Sequence, residues 1–400
     1  MFTCKSNKNG EIKTKYISFH AKKEDILACD FISGPKRSQL LNEFELNEKN
    51  LNEVTFQYIT LKSNHRIILF AAYQITTLTY KNLKITEKKG LLKKLLSLLL
   101  SLKFIRILIL GNIIRNNKPY LFYDEDALDK SEALKHIAEI SEELAKKTCS
   151  SVVIIKDVEI TDDKFKTLTS NGYIHPLPDM GMVMTIKDYW KNLDDYITEL
   201  RRKYAARARK IRNNFTGFDI KNLELKDIEI AQPRLYQLFL EVVNKQGFYL
   251  TLPSPTLFAA FKKNSDESFQ VEGIFYEDEL VGFYSYFITE KELEVFYIGF
   301  DPLLNLETSL YFNILFLVLE KAIKLKKEKL ILGRTSLDAK ASMGAEIIHY
   351  PYLIKIKNLP SFAIQWFIEY FTSLENNHWK ERNPFIENSD KIELDITRRY

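Results

Sequence analysis

The chain has 400 residues, of which 46% are hydrophobic and 28% charged. That is too apolar for a disordered polypeptide and long enough for two cores of roughly 150–200 residues each. A net charge of +5 does not by itself call for a nucleic-acid partner, so any such argument has to come from local clustering.

The cysteines Cys4, Cys29 and Cys149 are scattered without metal-ligand spacing and fit a reducing, cytoplasmic setting. Met1–Gly10 is polar and lacks the apolar core of a signal peptide. A strand is expected over Lys15–Phe19 and a helix over Lys36–Glu48. Val54–Lys62 and Ile67–Thr76 are β-rich runs joined by Ser63-Asn64-His65-Arg66, the pattern of a hairpin. Gly90–Leu110 has the length of a membrane span but carries Lys93, Lys94, Lys103 and Arg106. A charge at the centre of a span costs roughly 2.5–3.5 kcal/mol on insertion scales. The expectation is therefore an amphipathic helix at Leu91–Leu102, covering a domain or lying on a membrane surface. A buried strand follows at Arg106–Leu110. Lys130–Lys147 places Leu134, Ile137, Ile140, Ser141 and Leu144 at helical spacing, and Val152–Ile155 is a β-branched run of the kind found in buried strands.

Tyr189–Asn214 reads as one helix. It opens on Asp194, Asp195 and Glu199 and turns basic through Arg201, Arg202, Lys203, Arg207, Arg209, Lys210 and Arg212, an order that complements the helix dipole. Ile197, Leu200, Tyr204, Ala208 and Ile211 form its apolar stripe. Beyond it the spacing predicts a helix at Arg234–Gln246 and a hairpin of Val271–Tyr276 with Leu280–Ile288. A strand at Leu293–Phe300, an apolar helix at Ser309–Leu325 and a strand at Leu330–Leu332 follow. Ser361–Glu375 reads as an added amphipathic helix, and the tail from Asn376 is polar.

The two halves end on nearly the same phrase. Val152–Lys156, a helical stretch ending at Gly172 and then Gly181–Ile186 close the first. Lys329–Gly333, a stretch ending at Gly344 and then Tyr352–Ile356 close the second. Each reads as a strand, a short helix stopped by a glycine and a last strand. This predicts two copies of one mixed α/β (α+β) domain: 1–188, a basic linking helix at 189–214, 215–360, and a helical extension at 361–400.

Three passages carry a resemblance to a known fold. They are Leu193-Asp194-Asp195-Tyr196 with Arg201–Lys210, the hairpin Asp278–Phe283, and Leu332-Gly333-Arg334-Thr335 with Lys340 and Gly344. Together with the element order they resemble tandem GNAT-fold proteins, the FemAB-like aminoacyl transferases and the BioF2-like acetyltransferase-domain family. The resemblance implies two GNAT-like domains and transfer of an acyl or aminoacyl group from a thioester or aminoacyl-tRNA to an amine. The implied donor is acyl-CoA or aminoacyl-tRNA, with no firmly bound cofactor, and the implied site lies in the second domain facing the seam.

In this fold the backbone polarises the acyl carbonyl where two strands part, expected at Tyr297–Asp301. Tyr297 and Asp301 are the candidates for polarity there, and Tyr311 for a general acid. Arg334, directly after a buried strand, suits a phosphate or carboxylate, and Lys340 lies six residues on. Lys203, Arg207 and Lys210 share one helical face and suit an anionic partner: tRNA phosphates, a nucleotide-linked precursor or anionic lipid. Only Tyr204 is interleaved with them, so base stacking is not expected. Each has an ordinary alternative, namely strand-face tyrosine, turn aspartate, core tyrosine, structural ion pair or solvated helix.

Pro302–Ser309, where a GNAT enzyme cradles the pyrophosphate of coenzyme A, contains no glycine. That keeps open a non-catalytic pair binding an anionic ligand or membrane-linked precursor. The six histidines are dispersed and suggest no metal site. The expected location is the cytoplasm, with contact at the membrane surface as the alternative.

Overall fold

A computed structural model of the chain describes residues 2–8, 11–79, 82, 105–157, 168–175, 179–246, 249–357 and 380–386. The helices expected at Leu91–Leu102 and Ser361–Glu375 lie outside these residues. In chain order the first elements are β1 (Phe2–Lys8), β2 (Glu11–Ala21), α1 (Gly34–Asn50), β3 (Val54–Ser63), β4 (Arg66–Leu78), β5 (Ile105–Leu110), β6 (Leu121–Tyr123), α2 (Lys130–Lys147) and β7 (Val152–Lys156). Then come β8 (Asp179–Thr185), α3 (Leu193–Thr198), α4 (Arg202–Asn213), β9 (Phe218–Asn222), α5 (Leu225–Val243), α6 (Leu257–Asn264), β10 (Phe269–Tyr276), β11 (Glu279–Ile288) and β12 (Glu292–Phe300). The last are α7 (Pro302–Thr308), α8 (Leu310–Lys324), β13 (Lys329–Gly333), α9 (Leu337–Ala341), β14 (Glu346–Tyr350) and β15 (Tyr352–Ile356).

The chain forms two compact units. The first comprises Met1–Asp179, Gln246–Leu257 and Tyr350–Glu375, and the second Met180–Lys245, Phe258–His349 and Asn376–Tyr400. The first unit holds a sheet of order β1-β2-β3-β4-β5-β7-β15, with β6 on β4. The second holds β14-β8-β13-β12-β11-β10-β9. The mixed α/β repeat is therefore present, but its closing strands are exchanged. β15 pairs antiparallel with β7 of the first half, and β8 pairs antiparallel with β13 of the second. The units thus cross the contiguous boundaries expected at 188 and 215. Periodicity marks a run such as Gly181–Ile186 as a strand, yet either parallel-sheet edge would accept it.

The repeated glycines behave as their position predicts. Gly172 and Gly344 have φ of 81° and 92°, a conformation costly to a residue with Cβ. Both hairpins turn on two left-handed residues, Asn64-His65 and Glu277-Asp278, the geometry that matches the strands' right-handed twist.

Three segments depart from the sequence reading. Tyr189–Asn214 is two helices, α3 and α4, rather than one. The break at Glu199–Arg201 is used for strand-like pairing, since Leu200 bridges Phe385 and the Arg201 amide donates to the Pro384 carbonyl. The basic segment belongs to the second unit rather than linking two domains. α5 starts nine residues before Arg234 and runs through Pro233. Burial of Ile228, Leu235, Leu238, Phe239 and Val243 along one face outweighs the lost amide hydrogen bond. Pro302–Ser309, read as a loop, is the helix α7 capped by Asp301.

Among the described residues no single helix is long and apolar enough to cross a membrane. α7 and α8 together have the apolar length but meet at a 78° bend. α8 is a core helix, burying Leu310, Ile314, Leu315, Phe316, Val318 and Leu319 against the second sheet.

Candidate active site

The two sheets differ where their consecutive parallel strands meet. In the first unit β5 and β7 run parallel and stay paired from Ile107↔Val152 to Leu110↔Ile155, the end of β5. In the second, the corresponding strands β12 and β13 pair only over Glu292↔Lys329, Leu293↔Leu330 and Glu294↔Ile331. From Val295 onward β12 follows β11, while β13 follows β8 as far as Gly333. The strands part, and a wedge opens at their carboxyl ends. It starts at Val295, two residues before the expected Tyr297.

The edge of β12 facing this wedge follows from its pairing on the other side. The Asp301 amide donates to the Val281 carbonyl at 2.8 Å, which makes 301 and 281 a hydrogen-bonded pair. In an antiparallel ladder such pairs alternate, so the amides of Phe300 and Ile298 point away from β11 toward the wedge. Further back the ladder is interrupted by a bulge, between Tyr284↔Ile298 and Tyr286↔Val295. Ser285, fully buried, closes it: its hydroxyl accepts from the Tyr297 amide at 3.1 Å and donates to the Tyr297 carbonyl at 2.8 Å. The bulge is held by a side chain and cannot slide.

Tyr297 is half-buried, its ring packed against Phe239 at 4.8 Å and Phe296 at 4.2 Å. Burial pushes its phenol up to about 12, opposed by the positive charge of Arg334. The charge of Arg334 is thus felt at Tyr297. Arg334 itself is exposed just past β13, beside Gly333 and near Ser336, both with positive φ. Tyr311, on the first turn of α8, has a buried hydroxyl that faces Ser336 without a well-aligned hydrogen bond. Burial raises its phenol to about 12 and the Ser336 hydroxyl pulls the other way.

Lys340 is 3% exposed. Its ammonium donates to the Gly333 carbonyl at 3.3 Å, and among the described residues no carboxylate is paired with it. Desolvation alone depresses it to about 7. The sequence reading gave this residue a solvated helix face as its ordinary alternative, and burial excludes that alternative.

Asp301 is occupied otherwise. Its carboxylate caps α7, accepting from Leu303 and Leu304 amides at 2.8 and 3.1 Å, with Arg234 at 3.8 Å. Together with Glu277, Glu279 and Glu307 it lines a recess of about 370 Å³, whose acidic wall repels a phosphate. The N-terminus of α8, where a GNAT enzyme would seat a pyrophosphate, is filled by the chain itself: the Asn305 side chain accepts from the Tyr311 amide at 2.7 Å. Neither feature had a sequence signal beyond the missing glycine.

On α4, Ala205, Ala208 and Ile211 are buried, and Lys203, Arg207 and Lys210 are exposed on the opposite side. Arg207 stacks over Phe312 of α8 at 4.6 Å. Phe312 follows Tyr311 in the first turn of that helix, and Lys203 and Lys210 extend the same cationic face.

No protein-family model matches the chain, and no curated protein matches it. Solved structures do align with it. A crystal structure of FemX superposes with a TM-score of 0.50 at 12% identity, covering 88% of this chain and 99% of that one. A tandem GNAT protein from the clavulanic acid biosynthesis pathway aligns at 0.48 and 10% identity, over 86% and 98% of the two chains. A GCN5-related N-acetyltransferase from Kribbella flavida gives 0.47 and 10%, over 87% and 72%. At such identities the likeness concerns the fold alone. The fold is the mixed α/β, two-sheet arrangement of tandem GNAT-like domains.

Proposed function

We propose that this protein is an acyl- or aminoacyl-transferase whose single donor site is the wedge between β12 and β13. The observation that carries the reading is the parting of these strands after Glu294↔Ile331, where the corresponding β5–β7 pair of the first unit stays closed. In the wedge the Ile298 and Phe300 amides would polarise the acyl carbonyl. An acceptor amine attacks that carbon, the new C–N bond forms, and the bond to the thiol or ribose oxygen breaks. Lys340, neutral in a good fraction of molecules near pH 7, takes the proton from the amine, and the Tyr311 phenol supplies one to the leaving group. Tyr297 shapes the wall of the site.

The donor's phosphates would be held by side chains rather than by a glycine loop. Arg334 offers a planar fork, and Lys203, Arg207 and Lys210 offer a cationic face beside α8. This suits an aminoacyl-tRNA at least as well as acyl-CoA, because the usual pyrophosphate seat is taken by Asn305 and α7. That same filled seat favours the second reading, in which the unit only binds an anionic ligand or membrane-linked precursor. Contact at the cytoplasmic membrane surface through α4 remains part of that second proposal.

A salt titration of acetyl-CoA and aminoacyl-tRNA binding tests both readings, using wild type, Arg334→Lys and a Lys203→Gln/Arg207→Gln/Lys210→Gln variant. Affinity should fall steeply with salt for wild type and less steeply for the triple variant, since fewer counterions are released. Arg334→Lys should bind more weakly despite its charge. Equal, salt-insensitive binding in all three removes the proposed donor site. Binding without transfer to any amine favours the second reading.

A further inference from the structure

The segment at 380–386 grips the turn that carries Lys340 from both sides. Ahead of the lysine, the Arg382 Nε and Nη2 both donate to Asp338 Oδ1, at 2.9 and 2.7 Å. Behind it, the Phe385 ring lies against Gly344. A Cβ placed there would come within 2.2 Å of Phe385 Cε2, so the ring uses the space that the glycine leaves. Phe385 also packs on Trp190 and Tyr196, and the Tyr196 hydroxyl donates to the Met343 carbonyl at 3.0 Å. The segment is anchored by its backbone: Arg201 donates to Pro384, and Ile386 to Glu199.

We propose that Arg382 and Phe385 are positioning residues, a clasp that holds Lys340 in a water-free seat at the end of β13. Among the described residues the geometry leaves the lysine one polar contact, the Gly333 carbonyl. A four-carbon side chain with one such contact stays buried only while its surroundings are fixed. The charged groups on the packed elements do not supply that fixing. Asp338 is engaged by Arg382, and Arg334 is exposed beyond β13. Burial is what depresses Lys340, so opening the clasp to water should move its titration back toward the ordinary lysine range. The proposal adds to the reading of Lys340 as the site's proton acceptor, but its test does not need a substrate.

The experiment is trace labelling of the full-length protein with acetic anhydride over a pH series. The Lys340 peptide is quantified by mass spectrometry against the exposed Lys203 as internal reference. In wild type the Lys340 midpoint should fall near 7. Phe385→Ala, or Phe385→Leu if the alanine variant does not fold, and Arg382→Gln should raise it by at least about one pH unit, a tenfold change in neutral fraction. Arg382→Lys should restore part of the shift. Variants that melt earlier yet keep the wild-type midpoint would show a merely structural tail and overturn the proposal. So would a wild-type midpoint in the ordinary lysine range. Failure of acyl transfer alone, with the midpoints shifted as expected, would count against the function and not the clasp.

Discussion

Replacing Lys340 by methionine should make the protein more stable, and by an amount that depends on pH. The unfolded chain holds the lysine proton up to its ordinary value of 10.5, whereas the folded chain releases it near 7. Between those values the unfolded state binds more protons, so stability rises with pH across that window. Below about 7 both states are protonated and the full penalty is present; above about 10.5 both are neutral and it is gone. At 1.36 kcal/mol per unit, the gap between about 7 and 10.5 corresponds to a penalty of roughly 4–5 kcal/mol near pH 7, falling to roughly 1–2 near pH 9.5. Methionine keeps the length and apolar stem without the charge, and its cost is the Gly333 hydrogen bond, about 1 kcal/mol. The expected gain is therefore about 3 kcal/mol near neutrality and close to nothing near pH 9.5. Urea unfolding of both proteins at the two pH values measures it, with hydrogen exchange at Leu330–Leu332 assigning the transition to the second unit. Parallel curves, with the same difference at both pH values, would refute the reasoning.

Gly344→Ala should lose roughly 1–3 kcal/mol from its left-handed backbone alone and more from the contact with Phe385, read as a lower melting temperature. Lys321→Met should destabilise the second unit by about 2–3 kcal/mol. Among the described residues it leaves the buried Glu272 carboxylate the Tyr284 and Tyr286 hydroxyls, and the partial exposure of Lys321 puts the cost below that of a fully buried pair. Equilibrium denaturation of Lys321→Met beside Lys321→Arg separates loss of charge from loss of packing. Ser285→Ala should cost about 1–3 kcal/mol, since both the amide and the carbonyl of Tyr297 lose their partner. A variant as stable as wild type would show that the bulge does not depend on the serine.

The element order was legible because periodicity is local. Lys130–Lys147, the two hairpins and the β12–β13 strands stand where alternation and helical spacing place them. Strand partners were not legible, because β8 and β15 are similar apolar runs and the choice of edge is a tertiary matter. α5 was cut short because Pro233 is a strong local stop that only burial of its neighbours overrides. At the site, Tyr297 and Arg334 were each legible as candidates from their places on or after consecutive parallel strands, but nothing in the sequence linked one to the other. Asp301 could not be placed, since Asp-Pro reads equally as a turn, a helix cap or a catalytic acid. Arg382 and Phe385 lie in a polar tail without periodicity and carry no signal at all.

The asymmetry between the two units has a plain energetic basis. A parallel pair as complete as β5–β7 satisfies the backbone groups of both strands, and Gly111 just beyond it is closed over by Lys156, whose ammonium binds the Asn112 carbonyl at 2.6 Å. Opening that ladder would expose amides and carbonyls at about 1–3 kcal/mol for each group left unsatisfied. In the second unit this cost is already incurred, because β12 and β13 lose their mutual bonds after three residues. Burial of α8 against the sheet and the clasp at 380–386 offset it. Ile298 and Phe300 amides that point away from β11, on a strand whose bulge is held by Ser285, are poorly explained by stability. They are what a site needs if it is to meet a carbonyl with donors already in place, since preorganised donors need not reorient as charge develops. The first unit, with its ladder closed, lacks that edge, and this contrast is the reason the proposed donor site is sought in the second.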